Sequence, residues 1–202
     1  MTKKKKIISS IIGSIVLVSA LVWVGIYTSV IKLPIVKTVT TSAIYPFDIA
    51  NTKALVANSH NVFVGRVVKQ IGTEIEYGGL PLTKFSVEVI SNIKGDLRGV
   101  VTVGQAGGYK HGKLYVMSGD TMSGSEADEK SAEAHLLQPG ATYILAVRTD
   151  YENKVSEISA PPYDRALISS DKGLSIAQLK TAAAQNARVQ EFMKAAGVTE
   201  LK

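Results

Sequence analysis

The stretch Asn61-Val62-Phe63-Val64-Gly65-Arg66-Val67-Val68-Lys69-Gln70-Ile71 decides the fold. It is rich in β-branched residues and too short between breakers for a helix, so it reads as a strand. Gly65 in mid-strand implies a bulge or a sharp bend. Beyond the Gly78-Gly79-Leu80-Pro81 turn, Leu82–Ile93 alternates. Phe85, Val87 and Val89 fall on one face and Ser86 and Glu88 on the other, the pattern of a strand with one wet side. After a turn at Lys94-Gly95-Asp96, Val100–Val103 reads as a third strand, Gly104–Gly112 as a glycine-rich loop, and Leu114–Met117 as a short strand. Ser118–Gln138 reads as an exposed excursion with a helical turn near Glu126–Leu136. Pro139-Gly140 then turns the chain into a buried strand, Ala141–Thr149. Val155–Ile158 and Ala166–Ser169 are short strands around the Pro161-Pro162 break.

Helices flank this β region. Asp48 followed by Ile49, Ala50, Lys53, Ala54, Leu55 and Ala57 has a capping residue and an apolar stripe, so a short helix begins at Asp48 and ends near Asn58–Asn61. Ser175 caps a helix over 175–196, with Ile176, Leu179, Ala183, Phe192 and Met193 as its apolar face and Gly197 as its stop. Short strands separated by turns, with no βαβ alternation, predict a mainly β domain over 48–170. A small OB-like barrel is the expected form, with a short N-terminal helix and a C-terminal helix packed on it.

The N-terminal part is of another kind. Residues 1–6 carry four lysines, and 7–31 are 25 residues without a charge. As a helix, 7–31 is about 37 Å long, enough to cross a hydrocarbon core of about 30 Å with some tilt. Ile11, Ile12, Ile15, Leu17, Leu21 and Val24 make it apolar all round, which excludes an amphipathic surface helix. Trp23 and Tyr27 suit the far interface. Lys3, Lys4, Lys5 and Lys6 outnumber Lys32 and Lys37, which predicts the N-terminus inside and the domain outside. Val18-Ser19-Ala20 resembles a cleavage site, but cutting there leaves the apolar stretch 21–36 as a mature terminus. An uncleaved anchor is the better reading. Residues 32–47, with Pro34 and Pro46, read as an extended tether.

Composition narrows function. The chain has 202 residues, 46% of them hydrophobic, too many for a disordered polymer. It has 23 Lys+Arg and 17 Asp+Glu, but six of the cations precede the first acid, Asp48. The remaining 17 cations balance 17 acids, so the domain has no net charge and nothing points to nucleic acid. With no cysteine, a disulfide scaffold, a thiolate metal site and a cysteine nucleophile are excluded.

The run of Asn61-Val-Phe-Val-Gly-Arg-Val67, Thr83-Lys-Phe-Ser-Val-Glu-Val-Ile-Ser-Asn-Ile-Lys-Gly-Asp96, Val101-Thr-Val-Gly-Gln105 and Leu137-Gln-Pro-Gly-Ala-Thr-Tyr-Ile-Leu145 resembles a group of exported bacterial small β-barrel domains. It is distantly similar to the netrin-like and tissue-inhibitor-of-metalloproteinase modules of OB type. The resemblance covers roughly 48–169 and implies a bacterial envelope of Gram-positive type. It does not bring the inhibitory chemistry, which uses an N-terminal cysteine that this chain lacks.

Candidate chemistry is sparse. His60, His111 and His135 form no ligand-spaced pair, and no metal or cofactor is implied. The Ser118–Ser125 run lacks the spacing of a nucleophile elbow. Glu126, Asp128, Glu129 and Glu133 read as a solvated face, although with His111 and His135 they are the only material for a hydrolase or metal-dependent enzyme. Gly104–Gly112 is the stretch most suited to a ligand. Its glycines, Gly107 and Gly108 among them, let backbone N–H groups approach a ligand closely, and Tyr109, Lys110 and His111 add stacking and charge, so Gly107, Gly108, Tyr109 and Lys110 are the candidate ligand-binding residues. The expectation is a non-enzymatic binding module held on the outer face of the cytoplasmic membrane through 7–31, meeting another envelope protein or a glycan.

Overall fold

A computed structural model describes residues 37–41, 46–75, 79–117, 136–158 and 163–201. The predicted span 7–31, the basic end 1–6 and residues 118–135 of the excursion lie outside the described residues; the end of that excursion, Leu136 and Leu137, is buried in the core and not exposed as expected. Among those described, no helix is long and apolar enough to cross a membrane. The described residues belong to one compact unit, Val36–Lys202.

The fold is mainly β with three helices. Strands β1 (Lys37–Thr41), β2 (Asn61–Ile75), β3 (Pro81–Lys94), β4 (Val100–Lys110), β5 (Lys113–Met117), β6 (Thr142–Asp150), β7 (Val155–Ile158) and β8 (Arg165–Ser169) form one sheet. Helices α1 (Thr52–Asn58), α2 (Ile176–Gln185) and α3 (Ala187–Ala196) flank it. The sheet runs β4-β3-β2-β6-β7 and closes on itself where β7 pairs with β4 in parallel, giving a closed ring of five strands. Strands β5 and β1 extend from β4 outside the ring, and β8 pairs with β6.

Over Asn61–Val67 the deciding strand is buried on both faces because it is a shared wall. Phe63 and Val67 point into the ring, where they meet Phe85, Val87, Val103, Leu114, Tyr143, Leu145 and Ile158. Val62 and Val64 point outward onto Leu55, Leu179, Val189 and Phe192 of the three helices. Gly65 sits at a register shift against β3, as its sequence position predicts. Further shifts along the β2–β3 pair break strict alternation on β3. Ile90 and Ile93, three residues apart, thus both reach the helix-side core.

Four further sequence expectations are corrected. Helix α1 is capped by Asn51, whose Oδ1 accepts from the N–H groups of Lys53 and Ala54, and not by Asp48, whose Oδ1 accepts from Ala50 just upstream. The single helix expected over 175–196 is two. Asn186 ends α2 and starts α3, its side chain accepting from Arg188 and Val189 N–H, a local alternative to helix continuation. Ser175 with Gln178 forms the capping box, and Gly197 ends α3 at φ 70°, as expected. Within the predicted tether, Lys37–Thr41 is strand β1, paired in parallel with β5. Finally, Gly104–Lys110 is not a loop. It continues β4, and only His111 and Gly112 turn the chain, at φ 48° and 71°.

Candidate functional site

The correction to β4 changes what its glycines do. Gly107 and Gly108 are paired with Val116 and Tyr115 of β5 and are buried. A Cβ on Gly107 would lie 2.8 Å from the Tyr115 carbonyl oxygen, and one on Gly108 would lie 2.1 Å from Thr83 Oγ1. Both have positive φ, 116° and 137°, which only glycine adopts without strain. Thr83 Oγ1 donates to the Gly107 carbonyl at 2.7 Å, and Thr73 and Thr83 hydroxyls lie 3.1 Å apart beside it. These glycines admit close packing of a threonine pair.

Lys110 bonds across to the turn before β3, its Nζ donating to the Gly79 carbonyl. Tyr109 is the member of the four that faces an opening. It is 42% exposed and lines a cleft of about 170 Å³ with Gln70, Leu136, Leu137, Gln138 and Pro139.

Each wall of this cleft has a local cause. Gln70 pairs with Phe85, which faces the ring interior, so Gln70 projects at the mouth on the same side. The segment 136–140 is tied down before β6. Leu137 N–H donates to Gln105 Oε1 at 3.0 Å, Gln138 N–H to Tyr143 Oη at 3.2 Å, and Gly140 N–H to the Val67 carbonyl at 2.7 Å. Leu136 and Leu137 thereby seal the core below, while Gln138 and Pro139 border the opening. The result is an aromatic ring and two amides over an apolar floor. Amides both donate and accept, and a tyrosine offers a flat apolar face with a polar tip, which suits a neutral polar ligand. Compared with models of known protein families and with curated proteins, the chain matches none. Function therefore has to be argued from the cleft.

The other candidates lie apart from it or outside the described residues. His111 is exposed at the tip of the β4–β5 turn. His135 and Glu126–Glu133 are not described, so their meeting with His111 is not on view. His60 accepts the Thr149 N–H at Nδ1, 2.9 Å away, and its ring lies 5.8 Å from that of Tyr151. Among the described residues no three His, Asp or Glu come together as metal ligands.

Three shifted ionisable groups belong to structure. Hydrogen bonds from the Asn153 side chain and backbone hold Asp150 below its ordinary value in the β6–β7 turn. Burial lowers the Arg165 guanidinium, opposed by Asp164 and Tyr143. The Thr52 hydroxyl, then Arg188, lower Glu191 where α3 meets α1. A second hollow, about 290 Å³, lies between α1, α3 and β3, lined by Lys53, Val56, Ala57, Ile93, Lys94, Ala195 and Ala196. Lys94 already donates to the carbonyls of Val56, Ala57 and Ser59, capping α1.

The sequence flagged Tyr109 because an aromatic residue in a glycine run stands out. It held no signal for Gln70 and Gln138, which look like wet-face and loop residues.

Proposed function

We propose that this chain is an extracytoplasmic binding module of small OB-like barrel type, distantly related to the netrin-like modules. It is anchored in the cytoplasmic membrane through 7–31 and recognises a neutral glycan, or a glycan-bearing envelope protein, at the cleft around Tyr109. The observation that carries the reading is the cleft's lining. Gln70, Tyr109, Leu136, Leu137, Gln138 and Pro139 provide one stacking surface and two amides. Among the described residues that line it the one ionisable group is a phenol, and such a lining favours recognition over turnover. The anchor rests on the 25 uncharged residues and the lysine asymmetry around them.

The test is binding of neutral cell-wall oligosaccharides by the full chain in detergent, read as a thermal shift and by calorimetry. Tyr109→Ala is expected to weaken binding at least tenfold, about 1.4 kcal/mol, with the unliganded melting temperature nearly unchanged. Equal binding by the wild type and Tyr109→Ala removes the cleft from the proposal. Cleavage of an oligosaccharide, abolished by substituting His111, would replace the binding reading with the hydrolase one.

A further inference from the structure

Strand β2 has an open edge. Its pairing with β6 covers Asn61–Arg66, and Val67 follows by bonding to the 140–141 turn, its N–H donating to the Ala141 carbonyl and its carbonyl accepting from Gly140. From Val68 to Ile75 the strand has a strand partner only on its β3 side among the described residues. Three large apolar side chains stand out on this segment, with Val68 50%, Ile71 53% and Ile75 52% exposed. An edge of this length with apolar side chains is a template for another strand.

The edge is complementary to itself. Register against β3 skips Ile71, because Gln70 opposes Phe85 and Gly72 opposes Lys84. Lys69 opposes Ser86 and Glu74 opposes Leu82, so Lys69, Gly72 and Glu74 share the face of Lys84, to which Glu74 is bonded at 2.6 Å. Gln70 and Thr73, opposite Phe85 and Thr83, share the other face. Without the extra residue Lys69 and Glu74 would lie on opposite faces; with it they match.

In an antiparallel pair of two identical strands related by a two-fold axis, residues directly opposite must lie on the same face. The register that sets Lys69 against Glu74 of a second copy meets that condition. It also sets Gln70 against Thr73 on their shared face, and brings Val68, which register against β3 skips as it skips Ile71, opposite Ile75; every pair occurs twice. We propose that two copies of this chain associate through the Val68–Ile75 edges of β2, in this register. The contact is small, well below the roughly 1,000 Å² of a stable soluble dimer, so it forms at the high local concentration of a shared membrane or micelle.

The chain has no cysteine, so introduced thiols report only the chosen positions. Full-length Lys69→Cys and Glu74→Cys are co-reconstituted in one bilayer and oxidised mildly. The proposed register places these two thiols opposite each other. It separates position 69 of one copy from position 69 of the other by about five residues, or roughly 17 Å along the strands, beyond disulfide reach. The expected product is the mixed disulfide dimer, at least tenfold over either same-variant dimer and over a Val100→Cys control. Ile71→Asp in both partners is expected to cut its yield roughly tenfold, with circular dichroism and melting temperature unchanged. Equal mixed and same-variant yields, no disulfide dimer above the control, or a yield indifferent to Ile71→Asp each overturn the proposal. The last two are the outcome if the edge serves a strand of a different protein.

Discussion

Substituting Gly65 tests the claim that β2 is one wall of a filled ring core. A Cβ at this position would lie 2.6 Å from Val87 Cγ1 and 2.8 Å from Phe63 Cε2. Val87 and Phe63 are both fully buried in the ring core, so neither is the loose end of a surface chain that can swing aside. Overpacking of this kind costs about 1–3 kcal/mol. Gly65 is not among the positive-φ residues, so alanine brings no backbone strain and recovers about 0.4–1 kcal/mol by restricting the unfolded chain. Gly65→Ala is thus expected to destabilise by about 0–2.6 kcal/mol, a melting point lower by up to roughly 10 °C at about 2–4 °C per kcal/mol. Because Val87 Cγ1 is the nearest obstacle, Gly65→Ala/Val87→Ala is expected to be more stable than the sum of the single changes by at least about 0.5 kcal/mol. Denaturant unfolding followed by far-ultraviolet circular dichroism measures all four proteins. Strict additivity with Val87→Ala would refute the close packing of Gly65 against the ring core.

Three other perturbations follow from named contacts. Lys94→Met removes the ammonium that three carbonyls at the end of α1 share, and is expected to cost about 1–2 kcal/mol in chemical denaturation. His111→Asn places a residue tolerant of positive φ at a position held at 48°, and is expected to raise stability by roughly 0.5–1 kcal/mol, seen as a higher denaturation midpoint. Glu191 is held below its ordinary value of 4.5 by Thr52 and Arg188. Its contribution is therefore full above that value and fades as pH falls through the lowered one. Melting curves between neutral and acid pH should show Glu191→Gln losing stability mainly above that window, so that wild type and variant converge in acid.

How far the sequence reveals the fold depends on whether local and tertiary forces agree. Along Asn61–Val67 they do, and β-branched composition, burial and the Gly65 irregularity all point the same way. Along Gly104–Lys110 they oppose each other. Glycine is depleted in strands, so the run reads as a loop, yet here β5 on one side and Thr83 on the other require backbone without side chains. The break at Asn186 is equally hidden, since the surrounding Ala182, Ala183, Ala184 and Ala187 favour helix and only the asparagine side chain turns the register. At the cleft, Tyr109 is legible because its residue type is unusual for its surroundings. Gln70 is not, because its direction depends on a shift in strand register that no periodicity reveals.

The placement of the open surfaces follows from how the two cores are filled. Helices α1, α2 and α3 cover the outer face of β2, β3 and β6 with Leu55, Leu179, Val189 and Phe192. Phenylalanines and branched side chains occupy the inside of the ring. Removing a large side chain from either core would cost several kcal/mol. The hairpin β2–β3, however, runs past the end of β6, and beyond Val67 no second layer is available to cover it among the described residues. That is where Val68, Ile71, Ile75 and Leu80 remain exposed, and where Tyr109 opens to solvent beside Gln70. Val100, Tyr151, Leu167 and Ile176 stand exposed elsewhere, but the hairpin carries four exposed apolar side chains, and such a grouping marks a contact face. Binding function is thus expected at this end of the ring, whichever partner meets it.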